Sequence, residues 1–431
     1  MNTFAERRAR FLDAIGAGVA VFPAAPVALR NGDVEHPYRQ DSDFYYLTGF
    51  VEPESVLVLT NAHPEHRAIL FVRPRDPKRE VWDGARAGVE GALALGVDAA
   101  FPIGELGERL PDYLADVDRL HVRVGRGHPF DREVFAALEA VRKRARQGVR
   151  APTEIVDPAV VLHEMRLRKS EAEVERMRRA AEVTGRAHLA AMRHARAGRH
   201  EYEVAAEIHR VFEAQGCERA AYGTIVGSGP NACVLHYRSN ARRMEDGELL
   251  LIDAGCELDY YASDVTRTFP VSGRFSEPQR RLYELVLAAQ EAAIGAVAPG
   301  ATLDDVHDAA VRVLAAGLID LGLVSGSLEE VLAEQRYKPF YMHRTSHWLG
   351  MDVHDVGAYH REGKPRPLEP GFVLTVEPGL YVAPTANVDA RWRGIGIRIE
   401  DDLLVTADGH ENLTADIPKG VAEVEDAAGA G

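Results

Sequence analysis

Residues 249–271 read LLLIDAGCELDYYASDVTRTFPV: an apolar run ending in Asp253, a short polar turn, and a second run that carries Asp264. Runs of this length, rich in β-branched and aromatic residues, read as two antiparallel strands joined by a hairpin. A symmetric loop around Leu258–Asp259 sets Glu257 opposite Tyr260 and Asp253 opposite Asp264, provided that no bulge intervenes. The same reading applies near the C-terminus. FVLTVEPGLYV (372–382) and IGIRIEDDLLV (395–405), folded about residues 388–389 within the loop APTANVDARWR, place Glu377 opposite Glu400.

Directly opposed strand residues lie about 5 Å apart. Two carboxylates that close repel, and one tends to take up a proton. Any one of these acids alone would be an ordinary surface residue. Four of them, in two matched hairpins with apolar flanks, call for cations between them.

A histidine is the natural fifth ligand, and MHRTSHWLGMDVHDVG (342–357) holds His343, His347 and His354. His343 and His347 have the spacing of a helical zinc pair, but Arg344 stands where H-E-x-x-H needs its glutamate. Trp348-Leu349-Gly350 also suits a helix interior poorly. Three histidines within twelve residues of mixed polarity point to function, and the spacing does not choose among them.

Working outward, the chain has 431 residues, enough for two domains, and 46% hydrophobic residues, enough for sizeable cores. The formal net charge of −15, from 51 Lys+Arg against 66 Asp+Glu, argues against nucleic acid or an anionic membrane as the main partner. No secretory signal and no apolar run of membrane-spanning length is visible. Cys217, Cys233 and Cys256 form no C-x-x-C pair and read as small, reduced core residues, so a cytoplasmic location is expected.

Strands are expected at 19–22, 56–60 and 68–72, with mixed helical patterns over 89–147, making an α/β domain. The arginine run RKRARQGVRA (142–151) reads as the solvated face of a helix, and GSGPN (227–231) as a turn, since it lacks the lysine and spacing of a phosphate loop. A long helix over 168–195 opens with a Ser170-x-x-Glu173 capping box. The boundary is placed before it, giving domains 1–167 and 168–431. In the second, helical patterns at 170–196 and 201–216 lead to strands, and those at 276–296 and 303–321 lead to the histidine segment and further strands. Helix-helix-strands occurring twice suggests pseudo-twofold symmetry. The terminal VAEVEDAAGAG reads as a frayed tail.

Several long segments, in order, carry a family resemblance: PYRQDSDFYYLTGF (37–50), HEMRLRKS (163–170), TIVGSGPNACVLHY (224–237), LIDAGCELDYYASDVTRTFPVSG (251–273), SHWLGMDVHDVG (346–357), LTVEPGLY (374–381) and GIGIRIEDD (394–402). Over nearly its whole length the chain resembles the Xaa-Pro aminopeptidases (aminopeptidase P) of the creatinase/prolidase/methionine aminopeptidase superfamily, peptidase family M24. The resemblance implies an α+β, two-domain fold: an N-terminal α/β creatinase-like domain for oligomerisation and site capping, and a C-terminal pita-bread catalytic domain. It implies removal of the N-terminal residue that precedes proline, from peptides with proline in second place. It places the metal ligands at Asp253, Asp264, His347, Glu377 and Glu400, and selects His347 over its neighbours.

Four carboxylates and one imidazole suit two divalent ions, Mn²⁺ best, with Co²⁺, Zn²⁺ or Fe²⁺ as alternatives. Such a pair acidifies a shared water and polarises the scissile carbonyl. By resemblance, Asp264 and Glu400 bridge the ions, His354 stabilises the tetrahedral intermediate, His236 and His343 line the scissile bond and the proline, and Glu377 also moves a proton. Read without the family, His236 would be a satisfied core histidine. Arg398 lies two residues before Glu400, hence on the same face of a strand, where it orients or neutralises an acid; Asp33 is a partner the family suggests. Tyr222 and Tyr381 line the rim or pack in the interior. Arg344 touches substrate or reaches a neighbouring acid. Trp82, in REVWDGARAG (79–88), alone reads as a half-buried core residue; the family puts it at a neighbouring subunit's site. A homodimer or homotetramer is expected. The rival readings are a prolidase, restricted to Xaa-Pro dipeptides, and a non-catalytic pita-bread binding module. Plain methionine aminopeptidase fits the large N-terminal domain poorly.

Overall fold

The computed structural model describes residues 3–125 and 128–429. The chain forms two compact units, Met1–Glu164 and Met165–Gly431.

In the first unit the apolar runs form strands Val19–Pro23, Val56–Thr60 and Ala68–Val72. Together with Ala99–Pro102, Arg119–His121 and Glu154–Val156 they make one six-stranded sheet. Strand 19–23 runs antiparallel to 56–60 and parallel to 119–121. The continuous apolar character of the central strands follows from burial on both faces. Val19, Val21, Val58 and Phe71 pack with Leu110, Leu114, Val134 and Leu138 of two helices. The polar-aromatic stretch 37–50 holds a short helix, Ser42–Thr48, capped by the Asp41 carboxylate on Phe44 N at 3.0 Å.

Two expectations in this unit change. Only Arg142 and Lys143 of the arginine run lie on a helix face, the exposed end of Phe130–Lys143 beyond its last buried residue, Val141; a 3₁₀ turn and loop carry the rest. Trp82 is not half-buried; it is 84% exposed, on a helix, Pro77–Asp83, that buries none of its residues.

The second unit contains the repeated order. Helices Glu171–His194 and Glu201–Ala214 pack together, as do Glu277–Gly295 and Leu303–Asp320. Ser170 and Glu173 form the capping box, with Ser170 N 3.0 Å from Glu173 Oε2. The helices cover two small sheets, one ordered 225–228, 249–253, 266–270 and the other 373–376, 401–405, 410–412. The C-terminal tail is not frayed over its described length. Val421–Gly429 is a helix whose Val424 and Ala428 are buried, and residues 430–431 lie outside the described residues.

The two acid hairpins differ in register. In the first, Leu258 pairs with Tyr261 and Asp253 with Thr266, not Asp264. The turn is the two residues Asp259 and Tyr260, both at positive φ (50° and 69°). A two-residue turn with both residues at positive φ matches the twist of the strands, and here it falls one residue later than the expected Leu258–Asp259. The offset from the expected pairing is two residues, so both aspartates stay on one face as diagonal neighbours. Gly255 permits the crossing, since a Cβ there would fall 1.8 Å from Ser263 O.

In the second hairpin the expected register holds. Val376 pairs with Asp401 and Gly379 with Arg398, which sets Glu377 opposite Glu400. Each expected strand is nonetheless split at its glutamate. Glu377 N donates to Thr345 O at 2.8 Å, and Glu400 N donates to Thr266 O at 3.1 Å. These diverted bonds join the second hairpin to the first and to the histidine segment.

Candidate metal centre

The cross-links between hairpins bring the acids together. Asp264, His347 and Glu400 each offer a donor atom within 4.8 Å of the others. His347 Nε2 lies 3.3 Å from Asp264 Oδ2 and 3.7 Å from Glu377 Oε1. His347 Nδ1 lies 3.0 Å from Trp348 O. A carbonyl only accepts, so Nδ1 carries the proton and Nε2 is left as a ligand facing the acids. Asp253 is held by Tyr222 Oη at 2.6 Å and Arg398 Nη2 at 2.5 Å. Thr266 Oγ1 donates to Glu400 Oε2 at 2.6 Å and accepts from Arg398 Nε at 3.0 Å.

This arrangement is electrostatically strained on its own. Burial, then the charges of Asp264, Glu377 and Asp253, pushes the Glu400 carboxyl well above the usual range. Burial raises Glu377 to about 8, against the pull of His347 and Arg398. Asp253 is also raised by burial, with Arg398 opposing. For His347, burial works to lower the value, but the hydrogen bond to Asp264 and the charges around it carry it up to about 9. Protons are thus drawn in where positive charge is lacking. An oxygen-rich set with one correctly oriented imidazole fits divalent metal ions, which would supply that charge.

The centre opens into a cavity of about 830 Å³ whose lining includes His236, His343, His347, His354, Glu377 and Arg398. His354 meets His347 edge to face, with ring centroids 4.5 Å apart. His343 Nδ1 donates to Arg344 O at 2.8 Å, and its Nε2 lies 2.9 Å from Tyr381 Oη. Tyr381 Oη accepts from Arg398 Nη1 at 2.9 Å, so its own proton goes to His343 Nε2. Burial, then Arg398, lowers His343 to about 3 and keeps it neutral.

Metallopeptidase family M24 has a model that matches residues 175–407, and the model of the aminopeptidase P N-terminal domain matches residues 4–122. The chain belongs to metallopeptidase family M24. It is 46% identical to the Xaa-Pro aminopeptidase of Escherichia coli strain K12, over 98% of this chain and 96% of that one. Aminopeptidase PepP of Pseudomonas aeruginosa superposes with a TM-score of 0.98 at 51% identity, covering 99% of this chain and 97% of the other. Zn-substituted E. coli aminopeptidase P in complex with product gives a TM-score of 0.97 at 46% identity, over 99% and 98%. The fold is the two-domain aminopeptidase P fold, and the chain is a peptidase of a divalent-metal family.

In this metallopeptidase the remaining candidates fall in different places. Tyr381 is buried and Tyr222 half-buried, both bonded to the charged network. Arg344 is exposed and paired with Asp304 in the cavity wall. His236 and His354 are exposed on the cavity lining, not satisfied in a core. Trp82 and Asp33 belong to the first unit, Asp33 in the exposed turn between strands Leu29–Asn31 and Val34–Glu35.

The sequence reading passed over three residues. Thr266 joins Glu400 to Arg398, and Asp402 Oδ2 accepts from Asp264 N at 3.0 Å. Each sits two positions from an acid already singled out, so strand periodicity could have found both. Glu201 accepts from Ser228 N and Oγ (both 2.7 Å), Asn231 Nδ2 (3.0 Å), Tyr237 Oη (2.8 Å) and Arg242 N (2.9 Å). It ties down the loop that carries His236, and nothing local distinguishes it from an ordinary first-turn glutamate.

Proposed function

We propose that this peptidase is a Xaa-Pro aminopeptidase that works with two divalent ions, Mn²⁺ the best suited. The observation that carries the reading is the meeting of two acid hairpins and one imidazole beside an 830 Å³ cavity. Asp264 and Glu400 would serve both ions, Asp253 one, and His347 with Glu377 the other. When bound, the ions acidify a water and polarise the scissile carbonyl.

The chain's own residues do the rest. Glu377, in the cavity lining beside His347, would take and return the proton of the attacking water. His354, on the open side of His347, donates to the carbonyl oxygen as charge develops there. His236 and His343 flank the scissile bond and the proline, with His343 kept neutral by burial and Arg398 and its ring oriented by Tyr381 and the Arg344 carbonyl. Arg398 balances Asp253 and aims Tyr381.

Residues 168–431 would carry catalysis. Residues 1–167 would mediate a homodimer or homotetramer, for which the bare surface at Trp82, 84% exposed, offers an anchor at a neighbouring site. Three free cysteines fit the cytoplasm.

The test compares an Xaa-Pro dipeptide with the Xaa-Pro-Yaa tripeptide. Release of the free first residue from the tripeptide supports an aminopeptidase. Cleavage of the dipeptide alone makes the chain a prolidase. Absence of cleavage, with less than one ion bound per chain, makes it a binding module.

A further inference from the structure

The segment HEMRLRKS (163–170) takes no part in the centre described above, yet two of its cations end in the interior. Lys169 Nζ lies 3.0 Å from Asp355 Oδ2, with both side chains 1% exposed. Arg166 Nη2 lies 2.7 Å from Asp355 Oδ1 and 2.9 Å from Asp352 Oδ2. A buried ion pair is on balance no more stabilising than apolar side chains of the same volume. What it adds is a fixed place for Asp355, the residue that follows His354.

The cluster closes on the loop between the two histidines. Gly350 leaves the room, because a Cβ there would fall 2.1 Å from Asp355 Oδ2 and 2.9 Å from Lys169 Cε. Asp355 N donates to Trp348 O at 2.9 Å. The same carbonyl accepts the Nδ1 proton of His347 at 3.0 Å. One oxygen therefore links the metal-facing histidine to the anchored aspartate, and the His354 ring rests against His347. Lys169 N also donates to Gly371 O at 2.8 Å, at the start of the strand that leads to Glu377.

We propose that Arg166 and Lys169, acting through Asp355, are positioning residues that hold the His354 ring toward the substrate carbonyl and keep His347 Nε2 aimed at the four acids. This rests on the reading of His354 as a substrate contact. The partners that orient a ligand or a catalytic group typically change activity about 10–100-fold when removed.

The test is a double-substitution cycle on Mn²⁺-loaded enzyme with an Xaa-Pro-Yaa peptide, with Mn²⁺ affinity measured alongside. Lys169→Met should lower kcat about 10–100-fold and weaken Mn²⁺ binding, with KM within about twofold. Lys169→Arg, which can remake the pair, should recover most of kcat. On a His354→Ala background, the kcat loss from Lys169→Met should shrink to the part carried by His347, because the His354 ring is already gone. Should Lys169→Met fail to fold, Asp355→Asn keeps the shape and is read in the same way. Full kcat in Lys169→Met, or a loss that multiplies undiminished on His354→Ala, overturns the positioning role. Full kcat in His354→Ala alone overturns the reading of His354, which is a distinct failure.

Discussion

Arg398 Nη2 lies 2.5 Å from Asp253 Oδ2, and the two side chains are 4% and 13% exposed. The guanidinium is the main fixed positive charge beside the acids, and it reaches Thr266 and Tyr381 as well. Arg398→Met should destabilise the chelator-treated protein by about 3 kcal/mol, the scale of a broken buried pair. The loss should be smaller with metal bound, since the ions share the neutralising role. Thermal melts with and without Mn²⁺ check this, and equal losses in both states would count against it.

Glu377 stands opposite Glu400 and within 3.7 Å of His347 Nε2. Glu377→Ala should reduce turnover by at least about 10²-fold, as expected for a lost proton-transfer group, and loosen one ion. Turnover and metal content per chain are the measurements. Retention of two ions with full activity would remove Glu377 from both roles.

His188 is fully buried beside the acid hairpin, with Nε2 3.0 Å from Ala254 O. Burial lowers its pKa to about 4, so the folded state keeps it neutral while the unfolded chain protonates near 6.5. Its contribution to stability is complete above the unfolded value and is lost as pH falls from there toward about 4. The expected loss between pH 7 and pH 5 is about 2 kcal/mol. His188→Gln, which can still donate to Ala254 O, should flatten that dependence in denaturant unfolding at the two pH values. An unchanged slope would assign the acid sensitivity elsewhere.

Glu201 gathers the backbone and side chains of residues 228–242 around one buried carboxylate. Glu201→Ala leaves several buried donors unmatched and should cost more than about 3 kcal/mol. Glu201→Gln, which keeps an acceptor oxygen, should cost less and raise KM for a proline peptide, because His236 rides on the same loop. Stability and KM that both stay at the parent values in Glu201→Ala would show that the loop holds its shape without it.

The acids were legible because strand periodicity is a local property. The pairing of Glu377 with Glu400 came out as read, since the residues between the strands form an evenly divided loop. The pairing of Asp253 did not, because the turn at Asp259–Tyr260 adopts positive φ at two residues that are neither glycine nor asparagine. A two-residue error keeps the face, and so the site survived it. The choice of His347 depends on the Trp348 carbonyl, which no spacing rule reveals. The helix 421–429 was hidden by its acidic, small-residue composition; only its contacts show that Val424 and Ala428 reach the core. The exposure of Trp82 was equally unreadable from its local pattern, because a tryptophan is usually covered; only the family resemblance pointed to the surface.

The most direct test is a titration. Chelator-stripped protein is given Mn²⁺ in small steps, and release of the first residue from an Xaa-Pro-Yaa peptide is followed. The predicted result is no release at the start and a rise that levels off near two equivalents per chain. Release that persists in excess chelator would contradict the metal centre, and saturation at one equivalent would contradict the pairing of ions across the two acid hairpins.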